Sequence, residues 1–265
     1  MTTNYNTPTA IGELFTKSGQ EKAAMPTTKF IVMALLGGAY IAFGGLLTVI
    51  VAGGMPEIGA TNPGLVKLMA GALFPVGLIM VVVAGGDLFT SDCAGMTLCV
   101  VQRKNKWTAL VRIWSLSYVF NFFGALFVAY VMTYKAGLIV AEPWTTYLHH
   151  LAETKLSHDF LTTFIKGIGA NWLVCLAVWL GYAGKDVAGK ALGLWIPVML
   201  FVTLGYEHSI ANMFFIPAAI FTGAPITWLD FVTVNLIPAT LGNIVGGALF
   251  VGMAYWYVYL RGANK

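Results

Sequence analysis

Charge is what this chain has least of: 10% of its 265 residues are Asp, Glu, Lys or Arg, against 58% apolar. Soluble domains carry about a quarter of their residues as charges, so an ordinary water-soluble fold is excluded. Cysteine is also scarce. Cys93, Cys99 and Cys175 lie in apolar stretches, with neither a disulfide framework nor metal-ligand spacing. They read as small buried hydrophobes. Of the four histidines, only His208 falls within an apolar stretch. The paired intramembrane histidines that a haem subunit would need are missing, so a membrane redox protein is the weak alternative. His149, His150 and His158 read as solvated rather than as metal ligands. No cleavable signal peptide is expected, because residues 1–28 are polar and mixed.

What the chain has is length without charge. Uncharged windows cover 30–56, 68–86, 113–134, 167–184, 191–206 with 209–229, and 231–260. Crossing hydrocarbon takes about 20 apolar residues as helix, so six spans are expected. The formal charge of +4 could point to nucleic acid, but its distribution does not. With both termini cytoplasmic, eleven Lys and Arg face one side and four the other. That bias orients a protein in a cell (inner) membrane and implies no nucleic-acid partner. Residues 1–28 form an N-terminal segment whose stretch 8–24 reads as an interfacial helix, with Ile11, Leu14 and Phe15 on one side. Residues 29–265 form one channel domain with repeats at about 29–134 and 160–260. Residues 55–63 read as a turn-rich loop, and 135–159 as the longest external connection.

Two stretches interrupt the spans. Gly85–Asp92 reads GGDLFTSD and Gly205–Asn212 reads GYEHSIAN, offset by 120. They place Asp87 opposite Glu207 and Asp92 opposite Asn212. A short echo, NFFGALF at Asn121 and NIVGGALF at Asn243, follows at an offset of 122. An odd number of spans per half inverts the halves. The expected fold is an all-α membrane protein, six helices in two inverted three-helix repeats with broken second and fifth helices. A half-helix is expected from Cys93, capped by Thr90 or Ser91, and another capped by Ser209.

The start of a half-helix presents free N–H groups that favour a small anion. Thr90 adds a hydroxyl and His208 an imidazole that can hold a proton near neutral pH. Carboxylates would repel an anion, so Asp87 and Glu207, with Asn212, read as structural braces for the backbone of the breaks. Phe74, Leu78, Leu88, Phe89 and Phe201 stand where apolar constrictions could reject a hydrated ion. The reading is a channel rather than an enzyme, with no cofactor and no metal. A neutral-solute pore is a further alternative.

VVAGGDLFTS (Val82–Ser91), GIGANWLVCLA (Gly167–Ala177) and GYEHSIANMFFIP (Gly205–Pro217) resemble the signature stretches of the formate/nitrite transporter family. NLIPATLGNIVGGALFVG (Asn235–Gly252) is most similar to formate channels. The resemblance, from about Lys22 to Arg261, implies an aquaporin-like protomer in a homopentamer. It implies a passive or proton-linked channel for small monovalent anions of weak acids, formate first, with nitrite or hydrosulfide as alternatives. It also implies Asn171 beside Thr90 and His208, and Lys155 drawing anions inwards. Leu78 with Phe201 would form the cytoplasmic constriction, and Leu88 with Phe89 the other. Lys166 and Asp92 depart from the family pattern.

Overall fold

Hydrocarbon offers no partners to a backbone, so a spanning chain must satisfy its N–H and C=O groups internally, as helices do. The computed structural model, which describes residues 4–262, is helical throughout its regular elements. Helix α1 (Pro8–Ala24) leads into α2 (Thr27–Gly53), and the short α3 (Pro56–Thr61) follows. Helices α4 (Pro63–Leu73) and α5 (Pro75–Ala84) meet at Phe74, and α6 (Phe89–Val101) resumes after a break. Helix α7 (Trp107–Phe127) ends in π-helical turns, Val128–Lys135. The second half holds α8 (Trp144–Leu156), α9 (Phe160–Ala183), α10 (Val187–Leu204) and α11 (Ser209–Phe221). It closes with α12 (Trp228–Asp230) and α13 (Ile237–Gly247), joined by π turns and extended to Leu260 by two more.

Among the described residues, six stretches are long and apolar enough to cross a membrane: Thr27–Gly53, Pro63–Ala84, Trp107–Lys135, Phe160–Ala183, Val187–Leu204 and Trp228–Leu260. The half-helices α6 and α11 are shorter and almost wholly enclosed by the others. The two breaks end alike. Gly85 caps α5 at φ 95° and Gly205 caps α10 at φ 73°, a left-handed backbone that stops each helix where a side chain would be strained.

Packing repeats between the halves. Gly124 of α7 lies against the Leu35 carbonyl of α2, and Gly246 of α13 against the Ile168 carbonyl of α9. A side chain at either glycine would overlap that backbone, so small residues set the closeness of both helix pairs. Leu35 and Ile168 differ by 133 positions, as do Lys22 and Lys155. Helix α8 is therefore the counterpart of α1, and the inverted repeat extends to these two helices.

Four local expectations differ. The stretch 55–63 contains α3, because Pro56 starts a helical turn where it needs no N–H donor. The connection 135–159 contains α8, whose Leu148 and Ala152 are buried against the bundle. Helix α6 begins at Phe89 rather than Cys93. Helix α1 buries Ile11, Gly12, Phe15, Thr16 and Gly19 against protein, with Gly19 facing Cys99 of α6, while Leu14 is exposed.

Candidate functional site

The N-termini of α6 and α11 meet at the centre of the bundle. Thr90, in the first turn of α6, and His208, just before α11, face each other with Oγ1 and Nε2 3.0 Å apart. Both residues are buried. The Ala211 N–H donates to His208 Nδ1 at 3.0 Å, so the histidine itself caps α11. An accepting Nδ1 carries a lone pair, which places the proton of the neutral ring on Nε2, donating to Thr90. Ser209, expected as the cap, is instead the first helical residue. Neither Thr90 nor Ser91 caps α6, and the Ser91 hydroxyl donates back to the Leu88 carbonyl.

Two asparagines take up further orphan backbone groups at the breaks, where the Asp87 and Glu207 N–H groups donate to the Met33 and Lys166 carbonyls. Asn121 Oδ1 accepts from the Phe89 N–H at 2.9 Å, and its Nδ2 donates to the Ala34 and Asp87 carbonyls. Asn243 Oδ1 accepts from the Ser209 N–H at 2.8 Å, and its Nδ2 donates to the Gly167 and Glu207 carbonyls. These are the braces that sequence reading assigned to Asp87, Glu207 and Asn212. The echo NFFGALF/NIVGGALF held the signal, since it aligns these two asparagines.

The carboxylates bind lysines instead of backbone N–H groups. Asp87 pairs with Lys22 of α1, which also reaches Asp92 Oδ1 at 2.6 Å. Glu207 Oε2 pairs with Lys155 of α8 at 3.1 Å and accepts from Asn212 and Asn235. Lys155, expected to attract anions, thus has its charge engaged by Glu207, with the Phe215 ring 5.8 Å away. Lys22 was missed as a site residue because it looked like one basic side chain among many near the N-terminus. Lys166 bonds His158, and His149 bonds Thr222.

Asn171 lies beside the centre but does not reach Thr90 through its hydroxyl. Its Nδ2 donates to the carbonyls of Thr90 (3.0 Å) and Asn243 (2.6 Å), tying the two breaks together. Cys175 also donates to the Thr90 carbonyl.

Beside His208 is a void lined by Ile41, Phe74, Leu78, Leu88, Val174, Val198 and Phe201, too tight for a water-sized sphere. Six of its eight lining residues fall into repeat-related pairs: Ile41 with Val174, Leu78 with Val198, and Leu88 with His208. Polarity breaks the symmetry only at the last pair. Leu78, Leu88, Phe74 and Phe201 line one void, in which Phe201 stacks on His208 (5.7 Å between ring centres) and meets Phe74 edge-on. Phe89 stands apart, packed on Tyr118 and Trp114 of α7, because it follows Leu88 at the turn into α6.

A family model described as formate/nitrite transporter matches residues 9–257. A probable formate transporter of Methanothermobacter thermautotrophicus is 45% identical over 98% of this chain and 100% of its own. Among solved structures, an ion channel of the FNT family superposes with a TM-score of 0.86, at 28% identity over 94% of this chain and 98% of that one. A pentameric formate channel with formate bound gives a TM-score of 0.77, at 34% identity over 88% and 98%. The chain belongs to the formate/nitrite transporter family.

Proposed function

We propose that this protein forms a membrane channel for small monovalent anions of weak acids, formate foremost. The observation that carries this reading is the Nε2–H of His208 facing Thr90 Oγ1 at 3.0 Å beside an apolar constriction. A hydrated ion does not pass so narrow a hydrophobic gap. A carboxylate that has shed its water becomes a stronger base, because low polarity disfavours the charged form. It therefore gains from the Thr90 and His208 donors and takes up a proton before crossing as the neutral acid.

His208 holds its proton as a neutral ring, whose Nδ1 is committed to Ala211. Giving Nε2–H away outright would leave an imidazolate, so the proton comes from bulk solution, relayed through water so that no hydroxide is left behind, and His208 orients and polarises. Lys155 pairs with Glu207, and Lys22 with Asp87 and Asp92, which reduces the negative charge that an approaching anion meets. Asn171 holds the two breaks in register. Phe74, Leu78, Leu88 and Phe201 form the constriction.

Assembly as a homopentamer in the bilayer is proposed by similarity to the pentameric formate channel. We assign both termini to the cytoplasmic side, a reading supported by the excess of Lys and Arg on the side of the membrane that this topology makes cytoplasmic. Residues 29–265, with α1 docked on them, act as one channel unit. Proteoliposomes holding the protein should take up formate faster than equimolar nitrite or hydrosulfide, and His208→Asn should abolish that uptake. Undiminished flux in this variant would remove the proposed centre. Native mass spectrometry should give a mass five times that of one chain.

A further inference from the structure

We propose that Asp87 and Asp92 share one bound proton, giving the α1 side of the molecule a protonatable site distinct from His208. The argument is a comparison of the two repeat-related clusters. On the α8 side, one lysine meets one carboxylate: Lys155 pairs with Glu207, and Asn212 and Asn235 donate to the same oxygen. On the α1 side, Lys22 meets two carboxylates, because Asp92 stands where the other half has Asn212. The side chain of Asp87 is 0% exposed and that of Asp92 1%. The Oδ2 atoms of Asp87 and Asp92 are buried without a hydrogen-bond partner.

One cation against two carboxylates leaves a buried net charge, which costs several kcal/mol in a medium of low polarity. Among the described residues, Lys22 is the one cation paired with either carboxylate. Arg112 of α7 is bound to the Ala23 and Met25 carbonyls and the Thr27 hydroxyl. Cys93 and Cys99 of α6 and Cys175 of α9 contribute neutral thiols. Trp114 of α7 donates to the Asp92 carbonyl, not to its side chain. A proton on one carboxyl makes the cluster neutral and supplies an O–H that the other carboxylate can accept, as two carboxyls sharing a site generally arrange. Lys22 remains 17% exposed, so the proton exchanges with solution on the α1 side.

This site stands whether or not formate is the substrate, and its test reads the proton rather than flux. Infrared spectra of the full chain in lipid at pH 7 should contain the carbonyl stretch of a protonated carboxyl that shifts on deuteration. That band should vanish in Asp92→Asn and in Asp87→Asn, persist in Asp92→Glu, and disappear from the wild type at alkaline pH. The surface control Asp186→Asn should keep it. A band that survives both asparagine variants, or no band in the wild type, overturns the proposal. Because asparagine is what the other half carries at 212, Asp92→Asn reproduces an arrangement this fold already holds.

Discussion

His208 uses its two nitrogens for different ends, and the two can be separated. Asparagine is a good N-cap, so His208→Asn keeps an acceptor for the Ala211 N–H while removing the donor that faces Thr90. His208→Ala removes both, and the lost cap costs about 1 kcal/mol. Thermal unfolding in detergent should therefore rank wild type and Asn close together and Ala below them, while both variants lose formate flux. Equal unfolding temperatures for Asn and Ala would show that Nδ1 contributes no cap. Asn121 and Asn243 are expected to matter more. Each satisfies one N–H and two carbonyls in a buried break. Stranding a buried backbone group costs about 1–3 kcal/mol, so Asn121→Ala and Asn243→Ala should each lower stability by at least about 2 kcal/mol. The repeat makes the two losses comparable, and a large disparity would argue against it.

At the level of elements, glycine plays two different parts. A Cβ at Gly85 would meet nothing within 4 Å, yet the residue holds φ 95°. Gly85→Ala should fold, with about 1–2 kcal/mol less stability from the left-handed backbone. Gly124→Ala should instead prevent α2 and α7 from closing, because the new carbon overlaps the Leu35 carbonyl. Size-exclusion profiles of the two variants would separate strain from collision. The six spans were legible because apolar length is written directly in the sequence, and the breaks were legible because paired glycines and buried charges interrupt it. Helix α8 was not, although Trp144, Tyr147, Leu148, Leu151 and Ala152 recur at helical spacing and pack on the core, because its histidines and charges suggested a solvated connection. The half-helix starts were placed late or assigned the wrong cap for two reasons: Asn121 and Asn243, far along the chain, accept from Phe89 and Ser209, and α11 is capped by an imidazole, His208 accepting from Ala211, rather than by a hydroxyl. Phe89 was read into the constriction because adjacency to Leu88 says nothing about which way a side chain leaves a turn.

Over the whole molecule, the two halves share a backbone plan and differ where function needs asymmetry. Lysines 22 and 155, carboxylates 87 and 207, and asparagines 121 and 243 repeat in kind; Leu88/His208, Thr90/Ile210 and Asp92/Asn212 do not. The lysine–carboxylate pairs tie α1 and α8, the outermost helices of each half in sequence, to the breaks at the centre. Removing one partner of a buried pair strands the other, at about 3–5 kcal/mol. Lys155→Met should therefore destabilise strongly, since it leaves Glu207 with only amide donors from Asn212 and Asn235. Glu207→Gln in the same chain should recover most of that loss, because a neutral amide needs no cation. The single Glu207→Gln variant leaves Lys155 able to turn its charge to solvent through its 12% exposed side chain, and should cost less than Lys155→Met. Unfolding temperatures of the two single variants and the double variant form a cycle. A double variant no more stable than Lys155→Met would mean that α8 is held by packing of Leu148 and Ala152 rather than by its charge.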